Sequence, residues 1–440
     1  MKPVLFMHRN SGPQLTSVRF PVGGNPRKDL NLGGGLHENL VRRWPHDFEN
    51  ANKLLYWYAL LAVAPILVIW TNLSFYLFPF LLLRFKRTFG YFIAFKPLIH
   101  IPVVAFMCGA ILSTIDSVNI NKSLVVLPNY LYWGVLVVFL SSHARHLDYK
   151  LVARAGFVGI IIVTLYYYLQ HEIPRFPTFR LVSPNSYSFT VICFSPLAIA
   201  HLMKTRGKQA ASIFLLVLSA LQLFEGRRVG FVVVTIAGFL TIYAQRLRVK
   251  QALLLIMLIF GLPTLLSMDT LQETIRLSNE RIYDLLYNSD EITRSDKSYL
   301  VRKAMVQKGL AMYDKDPFTG IGLNNFASHE IDFDYYIEGS TIRLQRQSVE
   351  EKSAHNSYIF LLAEGGLLLL VPFLILFVIV ILYHVVRYNT IPVDSLPVFI
   401  GFVGMVVHLA FISEIVNVHA WYLLGLALAS IYRPRCELED

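Results

Sequence analysis

Four sets of polar residues interrupt the long apolar runs of this 440-residue chain at points where charge is costly. The first is Glu225-Gly226-Arg227-Arg228, in a very short link between two apolar stretches. A guanidinium at membrane depth is unfavourable unless paired, so such residues are functional candidates by default. The competing reading is that Arg227 and Arg228 reach up to lipid headgroups. The second is Arg302, with Lys303 and Lys308, in a helical stretch where an arginine is ordinarily just solvated. The third is His355-Asn356, followed by Ser357, Tyr358 and Glu364-Gly365-Gly366. Histidine exchanges a proton near neutral pH and so suits a general base, although a lone histidine at a helix start is often a cap. The fourth is Arg175 and Arg180 ahead of Pro184-Asn185, where an arginine could bind an anion or anchor to headgroups.

These groups need a scaffold, and the composition says which kind. Hydrophobic residues make up 55% of the chain and charged residues 16%, against roughly a quarter charged in soluble domains. Runs of about 20 apolar residues can cross a bilayer. They fall near 54–71, 72–83, 91–113, 124–140, 151–169, 187–202, 210–224, 229–244, 251–266, 356–382, 394–412 and 419–432. The expected fold is therefore an all-α polytopic membrane protein with about twelve transmembrane helices. The first pair is the least distinct, since 54–83 could also be one long tilted helix.

Basic residues settle the orientation. Arg84, Lys86 and Arg87, Arg145, Lys150 and Arg154, Lys204, Arg206 and Lys208, Arg246, Arg248 and Lys250, Arg387, and Arg433 and Arg435 follow even-numbered spans. Those exits belong on the cytoplasmic side with both termini, because Lys and Arg collect there. The same rule accounts for the net charge of +11 without a nucleic-acid partner. The expected organisation is a cytoplasmic tail over 1–50, helices 1–9 within 51–266, a large outer loop over 267–355, helices 10–12 within 356–432 and a short tail over 433–440. The outer loop holds 15 acidic and 11 basic residues, as a translocated segment would in an otherwise basic chain. It is also too long for a mere connection. Asp269 and Gln272 are spaced to cap a first helix. A second helix is expected from about Ser298 to Tyr313, stopped by Pro317 and Gly320-Ile321-Gly322.

Metal and nucleotide chemistry find little support. His143 and His146 lie in a basic loop with only Asp148 near, and Asp332, Asp334 and Glu338 have no fixed ligand spacing. Neither a P-loop nor a Gly-rich dinucleotide motif occurs. Three cysteines provide no disulfide framework.

The succession RLVSPNSYSF (Arg180–Phe189), EGRRVG (Glu225–Gly230), YLVRKAMVQKGLAMYDKDPFTGIGLNNF (Tyr299–Phe326) and HNSYIFLLAEGGLLLL (His355–Leu370) resembles the O-antigen ligase and polymerase superfamily. The most specific part is PFTGIG…NNF…HN…EGG. The resemblance implies a GT-C-like glycosyltransferase of the bacterial inner membrane with a large helical periplasmic loop and a periplasmic active site. It implies a donor glycan on undecaprenyl pyrophosphate and, for a ligase, a lipid A–core acceptor, with no cofactor, no metal and surrounding membrane lipids; the sequence itself shows no sign of oligomerisation, so a monomer is expected. Matched residue by residue, His355 is the implied catalytic base. Arg228, Arg227, Arg302 and Arg180 are the implied pyrophosphate ligands, with Asn356 and Asn185 in support. Many members carry Ser before the short-loop arginine, where this chain has Gly226-Arg227, so either Arg227 or Arg228 could be the equivalent. The alternatives are a polymerase or a protein oligosaccharyltransferase with the same donor. A transporter or flippase stands further off, because the polar groups gather at span mouths, with His408 the main exception.

Overall fold

The computed structural model describes residues 53–60, 67–68, 71–72, 78–83, 96–143, 147–172, 183–225, 227–243, 297–329, 354–386, 393–413, 415 and 417–431. The expected tails over 1–50 and 433–440, the span at 251–266, the first loop helix and the acidic patch at Asp332, Asp334 and Glu338 lie outside them. Among the described residues the longer helices are α1 Pro97–Ile115, α2 Ile120–Ser142, α3 Tyr149–Glu172, α4 Pro184–Phe224, α5 Arg228–Tyr243, α6 Lys297–Lys315, α7 Ser357–Val386, α8 Leu396–Leu409 and α9 Val418–Ile431. Five of them, α1, α2, α3, α4 and α7, are long and apolar enough to cross a membrane. The helices α8 and α9, at 14 residues each, would span only about 21 Å at 1.5 Å per residue. The chain is thus a helical membrane protein.

Residues 53–60 and 78–83 are helical, but Leu67–Val68 pairs antiparallel with Thr71–Asn72 between them. The stretch 54–83 is therefore not one continuous helix. Conversely, the spans expected at 187–202 and 210–224 are the two limbs of α4, which continues through the basic Lys204–Lys208 stretch. Gly207, at φ 85° and ψ 177°, reverses the direction there. That combination is nearly closed to side-chain-bearing residues.

The helices alternate in direction, and side-chain contacts fix which ends meet. At one end lie the end of α1, the starts of α2, α5, α7 and α9, and both tips of α4. At the other, the Lys96 ammonium at the start of α1 bonds the Ser141 carbonyl at the end of α2. His384 near the end of α7 meets Ser430 near the end of α9 at 2.9 Å. The helix α9 is buried along its whole length, as a helix apolar all round should be. It packs against α2 and α8, and its Trp421 stacks on Trp133 at 5.4 Å. The helix α4 packs against α3, α5 and α8, while α6 lies on α7. A second, smaller apolar cluster joins Leu300, Val301, Ala304 and Met305 of α6 to Ile321, Phe326, Ala354 and Ala363.

Candidate active site

The Glu225–Arg227 link is built from both of its flanks. Ser183 caps α4 by accepting from the Ser186 amide at 3.0 Å, and Pro184 fills the first helical position, where its missing N–H costs nothing. Asn185 is thereby set in the first turn. Its Oδ1 accepts from Arg227 Nη1 at 2.8 Å, tying the short link to the opposite tip of α4. The Arg227 amide donates to the Gln222 carbonyl at 2.9 Å, and its own carbonyl accepts from Phe231 at 2.7 Å to start α5. Glu225 accepts at Oε2 from the Tyr167 hydroxyl at 2.7 Å, and Tyr167 stacks flat on Tyr187 with centroids 4.5 Å apart.

Beneath the link the polar groups are under-satisfied. Arg227 Nε, both amide atoms of Gln222, Ser188 Oγ and both ring nitrogens of His408 are buried with no hydrogen-bond partner among the described residues. Gln222 Oε1 and Ser188 Oγ both crowd Gly230, so that position has no room for a side chain. His408 stacks on Phe189 at 6.1 Å and lies within electrostatic reach of Arg227. Each buried orphan costs on the order of 1–3 kcal/mol, an expense typical of sites that stability alone did not shape.

His355 enters from the other side of the same end. It sits at φ 51°, a left-handed conformation that is uncommon outside glycine and in which Asn, Asp and His are enriched. Asn356 then caps α7, with its Oδ1 accepting from the amides of Tyr358 at 3.0 Å and Ile359 at 3.1 Å. Asn356 therefore has a complete structural duty as an N-cap. Ser357 Oγ donates to the Ile412 carbonyl at 2.6 Å, and the Tyr358 hydroxyl donates to the Val406 carbonyl at 2.7 Å. These bonds hold the start of α7 against the end of α8, the stretch that carries His408. Ala354, the residue before His355, belongs to the same buried apolar cluster as Leu300 and Val301 of α6, while Arg302 itself is exposed. Arg228 opens α5, while its side chain and all of Arg180 lie outside the described residues.

A further component lies deeper in α7. Glu364, only 1% exposed, accepts at Oε2 from the Asn324 amide at 2.7 Å and at Oε1 from the Phe326 amide at 2.9 Å. The same segment is locked by backbone bonds from Ile321 to the Ala363 carbonyl and from Gly322 to the Glu364 carbonyl, both at 3.0 Å. Leu367 and Leu368 donate to the Pro317 and Phe318 carbonyls at 2.9 and 3.1 Å. Gly366, at φ 57°, breaks α7 to admit this turn, and a Cβ at Gly320 would lie 2.5 Å from the Glu364 carbonyl carbon. The helices α1 and α2 complete the seat. Ser113 donates to the Glu364 carbonyl and Ser123 to the Leu323 carbonyl, each at 2.7 Å. The Pro317–Phe326 turn is thus set into the interrupted helix α7, and α6 is fixed over it. Glu364 stands in an apolar run in the sequence, but its partners are backbone amides, which no residue type announces.

A family model described as O-antigen ligase matches residues 189–374. Over this stretch, under half of the chain, the protein is similar to the O-antigen ligase family. The matched region starts in α4, takes in the Arg227 link, α6 and the Glu364 clamp, and ends in α7, whereas Asn185 and Arg180 precede it. No curated protein matches the chain. The Pro317–Phe326 turn and the Glu364-Gly365-Gly366 break both lie in the matched region, and each is shaped to receive the other.

Proposed function

We propose that this chain is an O-antigen ligase, moving a glycan from undecaprenyl pyrophosphate to the lipid A–core oligosaccharide at the periplasmic face of the inner membrane. The observation that carries the reading is the family match over residues 189–374, which points to ligase or polymerase chemistry on lipid-linked glycans. On this reading the bundle has twelve spans, the basic exits face the cytoplasm, and 267–355 is a periplasmic loop above the site.

The chemistry follows from the residue types. As the anomeric C–O bond breaks, its electron pair passes to a phosphate oxygen, and charge builds on the diphosphate. Guanidinium groups of Arg227, Arg228, Arg302 and Arg180 neutralise it through forked hydrogen bonds. Asn185 supports this by holding one Arg227 donor in a fixed direction. Such preorganised stabilisation is commonly the largest catalytic term. The acceptor hydroxyl attacks the same carbon from the opposite side, inverting it, and gives its proton to His355. The short interval between Asn356, which caps α7, and His355 keeps that imidazole at the helix mouth.

The test is transfer by the purified chain, without nucleotide or ion gradient, from a lipid-pyrophosphate glycan to lipid A–core. Core-linked product supports the ligase. Extension of a second lipid-linked glycan, with none on the core, makes the chain a polymerase, and no transfer to either acceptor removes the glycosyltransferase reading.

A further inference from the structure

The end of the bundle remote from Arg227 carries a cavity of about 420 Å³ between the starts of α3 and α8, the Gly207 reversal of α4 and the end of α5. Its lining has two characters. Lys150, Lys204 and Lys208 supply cations, and Leu197, Leu396 and Ile400 supply apolar surface. Asp394 also lines it and pairs with Lys204 at 3.8 Å, which leaves an excess of two positive charges. All three lysines are exposed. From Asn185 to Lys204 the first limb of α4 rises about 30 Å at 1.5 Å per residue, the thickness of a bilayer's hydrocarbon core. With Asn185 near one membrane surface, the lysines stand at the headgroup level of the other.

We propose that this cavity is a binding site for an anionic phospholipid of that second leaflet. The headgroup phosphate is held among Lys150, Lys204 and Lys208, and the first part of an acyl chain lies on Leu197, Leu396 and Ile400. Charge selects the class of lipid. Ammonium groups attract a net negative headgroup, while a zwitterionic one brings its own cation to the same lysines. Basic recesses between membrane helices are suited to acidic headgroups for this reason. Size agrees, since sites for small molecules measure about 300–1,000 Å³. The apolar wall excludes free phosphate as the natural occupant, because half of the lining would then face water. Nothing in this assignment depends on which glycan the opposite end handles.

The experiment titrates the full chain in detergent with phosphatidylglycerol or phosphatidylcholine and counts bound lipid by native mass spectrometry. Phosphatidylglycerol is expected to bind about tenfold more tightly, the scale set by one to two unbalanced lysines. The double substitution Lys204→Gln and Lys208→Gln should remove that preference, and Asp394→Asn should increase it. Ala200→Phe, which puts a ring into the cavity wall, should weaken both lipids without altering charge. Equal binding of the two lipids, or an unchanged preference in the double variant, overturns the proposal. So does displacement of phosphatidylglycerol by an equal concentration of inorganic phosphate, which would make the apolar wall irrelevant. The lysine variants are at exposed positions, and circular dichroism confirms that each protein compared is folded.

Discussion

The two ends of this bundle hold their cations in different ways. At the Arg227 end the charge is fixed. A side-chain amide holds Nη1 at 2.8 Å, the link is bonded at Glu225 by Tyr167, and the turn above is seated on Glu364. At the far end Lys150, Lys204 and Lys208 are exposed, and the ion pair between Lys204 and Asp394 is a loose 3.8 Å. A developing charge is stabilised best by donors already in place, whereas a headgroup that drifts in the membrane needs only an attractive field. The difference separates a place where geometry matters from one where net charge is enough.

The strongest way to break that comparison is at His355. His355→Ala should lower transfer by about 100-fold or more, the scale of a lost general base, with donor binding largely kept. The left-handed backbone at φ 51° supplies a sharper control. His355→Asn keeps a residue at ease in that conformation but cannot take the proton at neutral pH. If His355→Asn turned over like the parent, the imidazole would be a backbone device and the general-base role would be lost. Neither variant should alter lipid preference at the far end.

Next in size is the Glu364 clamp. Glutamine offers one carbonyl oxygen where the carboxylate offers two acceptors, so Glu364→Gln leaves the amide of Asn324 or of Phe326 facing an N–H group. An orphaned buried donor costs about 1–3 kcal/mol, read as a lower thermal midpoint. Gly366→Ala should destabilise as well, because its Cβ would run into the Phe318 carbonyl at a positive φ. Retained stability in both variants would mean that the turn is not anchored through α7.

How much of this could be read beforehand depends on what kind of partner each residue has. Apolar length announces α1, α2, α3 and α7 directly, and the Pro317 stop ends α6 where the turn residues require it. The Gly207 reversal is legible only as a basic loop between two spans, because the helix continues through Lys204–Arg206 up to the glycine. At the candidate site Arg227 and His355 stand out as charge or imidazole at the margins of apolar runs. Gln222 and Ser188 do not, and Glu364 stands out without showing its partners. Their importance arises from neighbours distant in sequence, and for Glu364 those neighbours are main-chain groups. Asn356 is expected in a supporting role beside His355, and its amide oxygen accepts from two helix-opening amides, a partnership that no sequence pattern displays.

A smaller effect tests whether Arg227 must be held. Asn185→Ala removes the acceptor of one guanidinium donor and should weaken donor affinity several-fold, since a hydrogen bond to a charged group contributes about 1.5–3 kcal/mol in a buried setting and less where water can substitute. Asn185→Asp keeps an acceptor but sets a negative charge beside Arg227, and should weaken affinity for the anionic donor at least as much. Loss of turnover with unchanged donor affinity in Asn185→Ala would assign Asn185 to the reacting centre instead of to Arg227.

The smallest effect lies on the α6 side, where pH separates fixed from mobile charge. His329 is held below its ordinary value, first by burial and then by the positive charges of Lys315 and Lys308. A histidine lowered in the folded state favours folding fully above its unfolded pKa of about 6.5. As pH falls below that value the unfolded chain takes up the proton first, so this contribution drains away towards the lower folded pKa. Stability of the parent protein should therefore decline between about pH 6.5 and the onset of carboxylate titration, and His329→Gln should flatten that part of the profile. An equally steep decline in His329→Gln would locate the acid-sensitive group elsewhere.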